Sequence, residues 1–295
     1  LRRSVIRYGD EGPVVMINYV QQITDQEADS LIELIYEKSG IVLSVARKSL
    51  VLARLGRRLR HLGIETFTQY IDIVRSGKNQ EELMCMIDEI TTNKTEFFRE
   101  VHHFQYLSQK LLPEWSRESV GKPLNLRIFS LGCSTGEEPY SIAMTMAEHF
   151  RTNPGLFTVT CLDISRPILH NAKRAVYRGD DIQSIPQEYR KYLMVGKDKQ
   201  KGNYRIVPEL RARTAFEYAN IADMRFKMPD RAEIVFSRNV MIYFDKKTIA
   251  DLVMKIEETL VPGGHLFIGH SETLNGLNHS FVNVAPTVYM KPKAL

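Results

Sequence analysis

The chain has 295 residues and a mass of 34.0 kDa, long for one ordinary domain and comfortable for two. Hydrophobic residues at 43% and charged residues at 25% lie near globular averages and exclude a disordered or fibrous chain, while no apolar run approaches the ~18–20 residues of a membrane span and no secretory-signal pattern opens the chain. The net charge is +5, and residues 41–63 alone hold Arg47, Lys48, Arg54, Arg57, Arg58 and Arg60 without one Asp or Glu, a concentration that points to an acidic partner.

Residues 1–16 are assigned no function and are expected to form a poorly ordered extension. Residues 17–90 read as a helical domain. Thr24 with Glu27 three residues later is a capping box that satisfies orphan amides at a helix start. Ala28, Leu31, Ile32 and Ile35 follow at helical spacing, and Gly40 can close the helix in a left-handed cap. A second helix is predicted from about Arg47 to Leu62, with Leu52, Leu55, Leu59 and Leu62 on one face and Arg47, Arg54 and Arg58 in a positive stripe on another. A third runs from about Thr66 to Val74, a fourth from about Glu81 to Ile90. Cys85, Cys133 and Cys161 stand far apart without a CxxC pair, which argues against a disulfide framework or zinc knuckle and for a reduced, cytoplasmic protein.

Residues 91–295 follow a different pattern. Apolar runs at 126–131, 157–162, 233–236 and 265–269 alternate with helical stretches at 140–150, 167–175 and 247–260, the signature of an α/β fold with a mostly parallel sheet covered on both faces. The last run follows a predicted turn at Pro262-Gly263-Gly264. Between 177 and 215 the alternation breaks, and residues 192–195 and 204–207 around a polar Gly196–Gly202 turn predict a small antiparallel insertion.

The first strand of the sheet leads into Gly132-Cys133-Ser134-Thr135-Gly136-Glu137-Glu138-Pro139, and the second ends in Asp163. A glycine loop at this place is a nucleotide site, and an acid at the end of the next strand commonly holds ribose hydroxyls. Two carboxylates at a helix N-terminus would repel a pyrophosphate. They suit a ligand with an adenosine end and a cationic end, and S-adenosylmethionine, carrying a sulfonium and an ammonium, meets that description. The plainer alternative is that Glu137 and Glu138 only complement the helix dipole. Two more polar segments stand where a core is not expected: the linker Thr91–Glu100, and Ser237-Arg238-Asn239 at the carboxyl end of a strand.

Thr91–Glu100, the STGEEPY run Ser134–Tyr140, the SRNVMIYFD run Ser237–Asp245 and the GHSE run Gly269–Glu272 together resemble the chemotaxis receptor methyltransferases, the CheR family, over about residues 23–290. The resemblance implies a Rossmann-like S-adenosylmethionine-dependent methyltransferase domain with an all-helical N-terminal domain and a small antiparallel β-subdomain. It implies transfer of the methyl group of S-adenosylmethionine to glutamate carboxylates of methyl-accepting chemotaxis receptors, leaving S-adenosylhomocysteine and glutamyl methyl esters, without a metal. Carried over by motif, Asn93, Thr95 and Arg99 contact the cofactor beside Gly132, Glu138 holds its amino group, and Asp163 the ribose. Asn220 and Ile221 lie near the adenine, Ser237, Arg238 and Asn239 close the pocket, and Arg99, Arg238 and Tyr243 lie nearest the transferred methyl. The basic helix, with Arg47, Arg54, Arg57, Arg58 and Arg60, matches the receptor-facing helix of the family and implies a cytoplasmic protein recruited to membrane receptor arrays.

Some members also dock on a receptor C-terminal peptide through a β-subdomain loop with three glycines. Here Gly196 and Gly202 are kept and Asp198 stands near the middle one, so tail docking and direct recognition of the receptor's helical methylation region both stay open. Nucleic acid is disfavoured because no aromatic residues interleave the arginines. A dehydrogenase conflicts with the Glu137-Glu138 pair, the eight histidines show no metal-ligand spacing, and His270-Ser271-Glu272 lacks the nucleophile elbow of a hydrolase. A non-enzymatic S-adenosylmethionine sensor, or a methyltransferase of another receptor pathway, is the alternative the residues leave open.

Overall fold

The computed structural model describes residues 23–43, 45–91, 93–119, 122–153, 155–228 and 231–293; the side chains of residues 45–48 and 50, and the whole of the 1–16 extension, lie outside that description. Four helices come first, α1 (Asp25–Ser39), α2 (Val45–Leu62), α3 (Phe67–Arg75) and α4 (Gln80–Ile90). The expected capping box forms at the start of α1, with the Glu27 amide donating to Thr24 Oγ1 at 3.2 Å and the Thr24 amide to Glu27 Oε2 at 3.0 Å. Gly40 ends α1 at φ 72°, and a Cβ there would also lie 2.4 Å from the Ala222 methyl, so this position serves both the left-handed cap and the contact between the helices and the sheet. Leu31, Leu34, Ile35, Val51, Leu55, Leu59, Tyr70 and Met86 fill the space between the helices, each buried aliphatic side chain contributing about 1.5–3 kcal/mol. Leu62, expected on the apolar face of α2, is instead 39% exposed in the last turn.

Residues 101–118, for which the sequence pattern yields no element, form α5 (Val101–Tyr106), a π-helical turn (Leu107–Leu111) and α6 (Leu112–Glu118). The wider turn rephases the helix so that the neighbours Leu111 and Leu112 are both buried, which obscures the 3.6-residue period. The sheet domain follows: β1 (Leu124–Leu131), α7 (Glu137–Phe150), β2 (Gly155–Asp163), α8 (Arg166–Arg174), β3 (Val176–Arg178), β4 (Leu193–Val195), β5 (Asn203–Ile206), α9 (Pro208–Arg211), β6 (Thr214–Tyr218), β7 (Ala232–Ser237), α10 (Lys246–Thr259), β8 (Leu260–Ile268), β9 (Val282–Ala285) and β10 (Val288–Met290). The main sheet has the order β6-β2-β1-β7-β8-β10-β9. Its first five strands are parallel, and β10 and β9 add antiparallel at the edge. The insertion forms its own antiparallel sheet, β3-β5-β4.

The predicted Pro262-Gly263-Gly264 turn is not a turn between elements. These residues lie inside β8, where the register with β7 shifts, and a Cβ at 264 would meet the Val261 carbonyl at 2.8 Å; the glycines make a bulge. Chain reversal on either side of β1, toward β2 and toward β7, opens a crevice at the carboxyl ends of these strands, the place where open α/β sheets take ligands.

Candidate active site

A cavity of about 460 Å³ opens on that crevice. Its floor is the Gly132 loop, its sides are Asp163, Asn220, Ile221, Arg238 and Asn239, and its roof is Thr91, Asn93, Lys94, Thr95, Glu96 and Arg99 of the linker together with Ser39 and Ile41 of the helical domain. The helical domain is held over it by the Val42 amide donating to the Tyr243 carbonyl at 2.8 Å, by Asn220 Nδ2 to the Lys38 carbonyl at 3.2 Å and by the Tyr36 hydroxyl on Asp245.

The glycine loop works by close approach. Gly132 has φ 69°, and a Cβ would press to 3.0 Å from Val240 Cγ2. Asp163 fastens this loop to the next strand: Oδ2 accepts from the Ser134 amide at 2.9 Å and Oδ1 from the Ser165 amide at 3.0 Å. Burial nevertheless pushes the Asp163 carboxyl up, with these amides pulling the other way.

The two glutamates expected to act together are separated by the helix. Glu137 is 8% exposed, is not part of the cavity wall, and accepts from Thr135 Oγ1 at 2.6 Å; it complements the N-terminus of α7. Glu138 lines the cavity. Ser130 Oγ donates to its Oε1 at 2.7 Å and Arg238 Nη1 to its Oε2 at 3.0 Å. Arg238 is 5% exposed, and its Nη2 lies 3.3 Å from Glu100 Oε2 while also donating to the Arg99 carbonyl. One guanidinium therefore faces two carboxylates, of which Glu138 lines the cavity. Burial pushes Glu138 up despite Arg238 and Ser130. Glu100 is also pushed up by burial, but His270, Arg238 and Asn239 outweigh it and hold the carboxyl at about 2.

Arg99 differs from Arg238. It is half-buried on the cavity wall, and its hydrogen bond among the described residues is to the Lys94 carbonyl at 3.2 Å, so its guanidinium keeps donors for a ligand. Tyr243 lines the same wall, and Asn93 and Thr95 line the roof. Asn93 is fixed from both ends: Nδ2 donates to Thr91 Oγ1 at 3.2 Å and its carbonyl accepts from Ser134 Oγ at 3.0 Å. Asn220 spends its amide on the Lys38 carbonyl and on the Ala222 amide.

Ser237, expected to close the pocket, is the last residue of β7 and lies at 0% exposure, outside the cavity wall. The charge run also divides. Arg58 Nη2 pairs with the 3% exposed Glu82 at 2.6 Å, and Arg54 Nη1 donates to the carbonyls of Glu89 and Thr91. Arg54 and Arg58 share one face of α2, as expected, but that face is turned inward rather than toward a partner, because α4 packs on it. Arg57 and Arg60 are exposed, and the Arg47 side chain lies outside the described residues.

Sequence reasoning gave no role to Glu100, His270 or Glu272. Glu272, 9% exposed, accepts from the amides of Gly269, Asn239 and Met241 at 2.6, 3.0 and 2.9 Å and so shapes the segment that follows β7, where Asn239 sits at φ 57°. His270 Nδ1 lies 2.9 Å from Glu100 Oε1. A buried acid straight after a strand in the GHSE run is the signal that could have shown this. The fold also gathers Glu100, His102 and His103 with ligand atoms within 4.8 Å of one another, a grouping invisible in histidine spacing; the oxygens of Glu100 are engaged there by Arg238, His270 and Asn239.

Two family models divide the chain at this linker. Residues 26–91 match the CheR methyltransferase all-alpha domain and residues 93–290 the CheR methyltransferase S-adenosylmethionine-binding domain. The chain belongs to the CheR methyltransferase family. It is 36% identical over 282 residues, 95% of both chains, to a chemotaxis protein methyltransferase of Salmonella typhimurium. It is 36% identical over 272 residues, 92% of both chains, to one of Escherichia coli, and 37% over 273 residues to one of Borreliella burgdorferi, covering 91% of this chain and 95% of that one. The α/β architecture, the all-helical first domain and the small antiparallel sheet are those the CheR resemblance implies. Among the described residues no helix is long and apolar enough to cross a membrane.

Proposed function

We propose that the protein transfers the methyl group of S-adenosylmethionine to glutamate side chains of methyl-accepting chemotaxis receptors, in the cytoplasm at receptor arrays. The observation that carries this reading is the Glu138 carboxylate, held on the cavity wall by hydrogen bonds from Ser130 and Arg238. An arriving ammonium would meet this carboxylate in a charge-assisted hydrogen bond. Asp163 stands where a ribose would lie, and Ile221, Leu162 and Ile41 give an apolar wall for a base.

S-Adenosylmethionine supplies an electrophilic methyl on a sulfonium. The acceptor needs no general base, since a glutamate with a pKa of ~4.3 is about 99.8% ionised at pH 7. With it bound, a carboxylate oxygen would take the methyl as the S–C bond gave its electrons to sulfur, so that opposite charges would cancel and no proton would move. The work left to the chain is positioning and exclusion of water, holding the oxygen ~3–3.5 Å from the carbon in line with the leaving sulfur. Arg99, with donors to spare, orients the acceptor carboxylate beside Tyr243. Holding it too tightly would slow attack, because ground-state stabilisation does not lower the barrier. Arg238, saturated by two carboxylates, positions Glu138.

The outward Arg57 and Arg60 meet the acidic helical region of the receptor. Tail docking rests on the insertion: the edge strand β4 exposes Met194 and Val195, and Asp198 adopts the left-handed φ of 49°, leaving a sheet edge for an extended peptide. Calorimetric titration with S-adenosylhomocysteine tests the cofactor reading. One-site binding unaffected by excess NADH is expected, and absence of binding by folded protein would contradict it.

A further inference from the structure

Arg54 belongs by sequence to the basic run of α2, yet its Nη1 donates to the Glu89 carbonyl at 2.9 Å and to the Thr91 carbonyl at 3.0 Å. These are the last carbonyls of α4 and of the chain leaving it, groups with no partner further along the helix, at the end where the helix dipole favours a cation. Straight after them the chain becomes the roof of the cavity: Thr91, Asn93, Lys94, Thr95 and Arg99 all line it. Thr91 is tied on through its hydroxyl to Asn93 Nδ2 at 3.2 Å, and the Asn93 carbonyl to Ser134 Oγ at 3.0 Å, whose amide in turn rests on Asp163. The hydrogen bonds run without a break from the middle of α2 to the glycine loop.

We propose that Arg54 is a positioning residue for the cofactor cavity: it fixes the exit of α4 and so sets the place of the Asn93–Arg99 roof. A residue of the receptor-facing run thus acts on the small molecule. The two neighbouring arginines sharpen the assignment. Arg58 is equally inward, but its guanidinium is spent on Glu82 at 2.6 Å, beside Tyr70, in the middle of the helical domain. Arg57 is exposed.

The inference rests on the reading of the cavity as an S-adenosylmethionine site, and its test separates the two. S-Adenosylhomocysteine is titrated without receptor, and hydrogen exchange of residues 93–96 is followed in cofactor-free protein. Arg54→Ala is expected to weaken binding about fivefold and to speed that exchange. Arg58→Met is expected to lower the melting temperature while leaving affinity within about twofold, as is Arg57→Ala without the loss of stability. If Arg54→Ala does not fold, Arg54→Lys, which keeps the charge without the planar pair of donors, shows the same two changes in smaller size. Unchanged affinity and exchange at Arg54, or an equal loss of affinity in Arg58→Met, would overturn the proposal. Absence of binding by the unaltered protein would instead overturn the cofactor reading, and the exchange data alone then decide whether Arg54 fixes the roof.

Discussion

On the carboxyl rim of the sheet, Arg238 is 5% exposed and meets two carboxylates; on α2, Arg57 and Arg60 are exposed and, among the described residues, make no ion pair. The rim cannot leave a charge alone, because an unpaired ion in low dielectric costs several kcal/mol. Its groups interlock through Ser130, Glu138, Arg238, Glu100 and His270, and one geometry results. The outward face of α2 sits in water, where a solvated guanidinium costs little and remains free for an acidic partner, at the price of being screened by salt over ~8–10 Å. Buried charge therefore supplies position, and exposed charge supplies reach.

The sharpest way to break this contrast is Arg238→Ala. Two largely buried carboxylates lose their cation, which costs about 3–5 kcal/mol and lowers the melting temperature by roughly 10 °C, with loss of S-adenosylhomocysteine binding; thermal unfolding and titration read both. A wild-type melting temperature would mean that the rim does not depend on the pair. Next comes the adjacent pair of glutamates. Glu138→Gln is expected to weaken cofactor binding about 10- to 100-fold by removing a charge-assisted contact, whereas Glu137→Gln changes it less than about twofold. Equal effects in calorimetry would erase the distinction between the wall residue and the helix cap. Arg99→Ala is expected to cut turnover at least about tenfold in a methyl-transfer assay, and near-normal turnover of folded protein would remove Arg99 from the chemistry. The smallest effect belongs to the exposed face: Arg57→Glu with Arg60→Glu lowers receptor methylation about three- to tenfold, leaves cofactor affinity unchanged, and flattens the salt dependence of the rate.

What could be read from the sequence depended on whether a local rule or a tertiary partner decided the outcome. The capping box at Thr24, the left-handed Gly40 and the glycine loop between β1 and α7 are local devices, and each forms as read. The parallel core strands carry their own apolar runs. The helix over 101–118 was hidden because its π-helical turn breaks the period. The Gly263-Gly264 bulge reads as a turn in the sequence because glycine pairs mark both. At the site, Asn93, Thr95, Arg99, Gly132, Glu138, Asp163, Asn220, Ile221, Arg238, Asn239 and Tyr243 meet around one cavity, while Ser237 turns inward at the end of β7. Glu100 and Glu272 stand in motifs the sequence shows but carry no role there, because their partners lie 138 and 33 residues away, at Arg238 and Asn239, and no spacing announces such pairs. The inward turn of Arg54 and Arg58 is of the same kind: α2 alone shows a basic stripe, and only the packing of α4 shows that this face is covered.

The most direct test of the central claim, methyl transfer to a carboxylate, uses methyl-labelled S-adenosylmethionine with receptor-containing membranes, followed by mild alkali and collection of volatile label. Release of the label as methanol is expected, since an ester is cleaved under those conditions. Label that stays on the receptor through alkali would contradict carboxylate methylation.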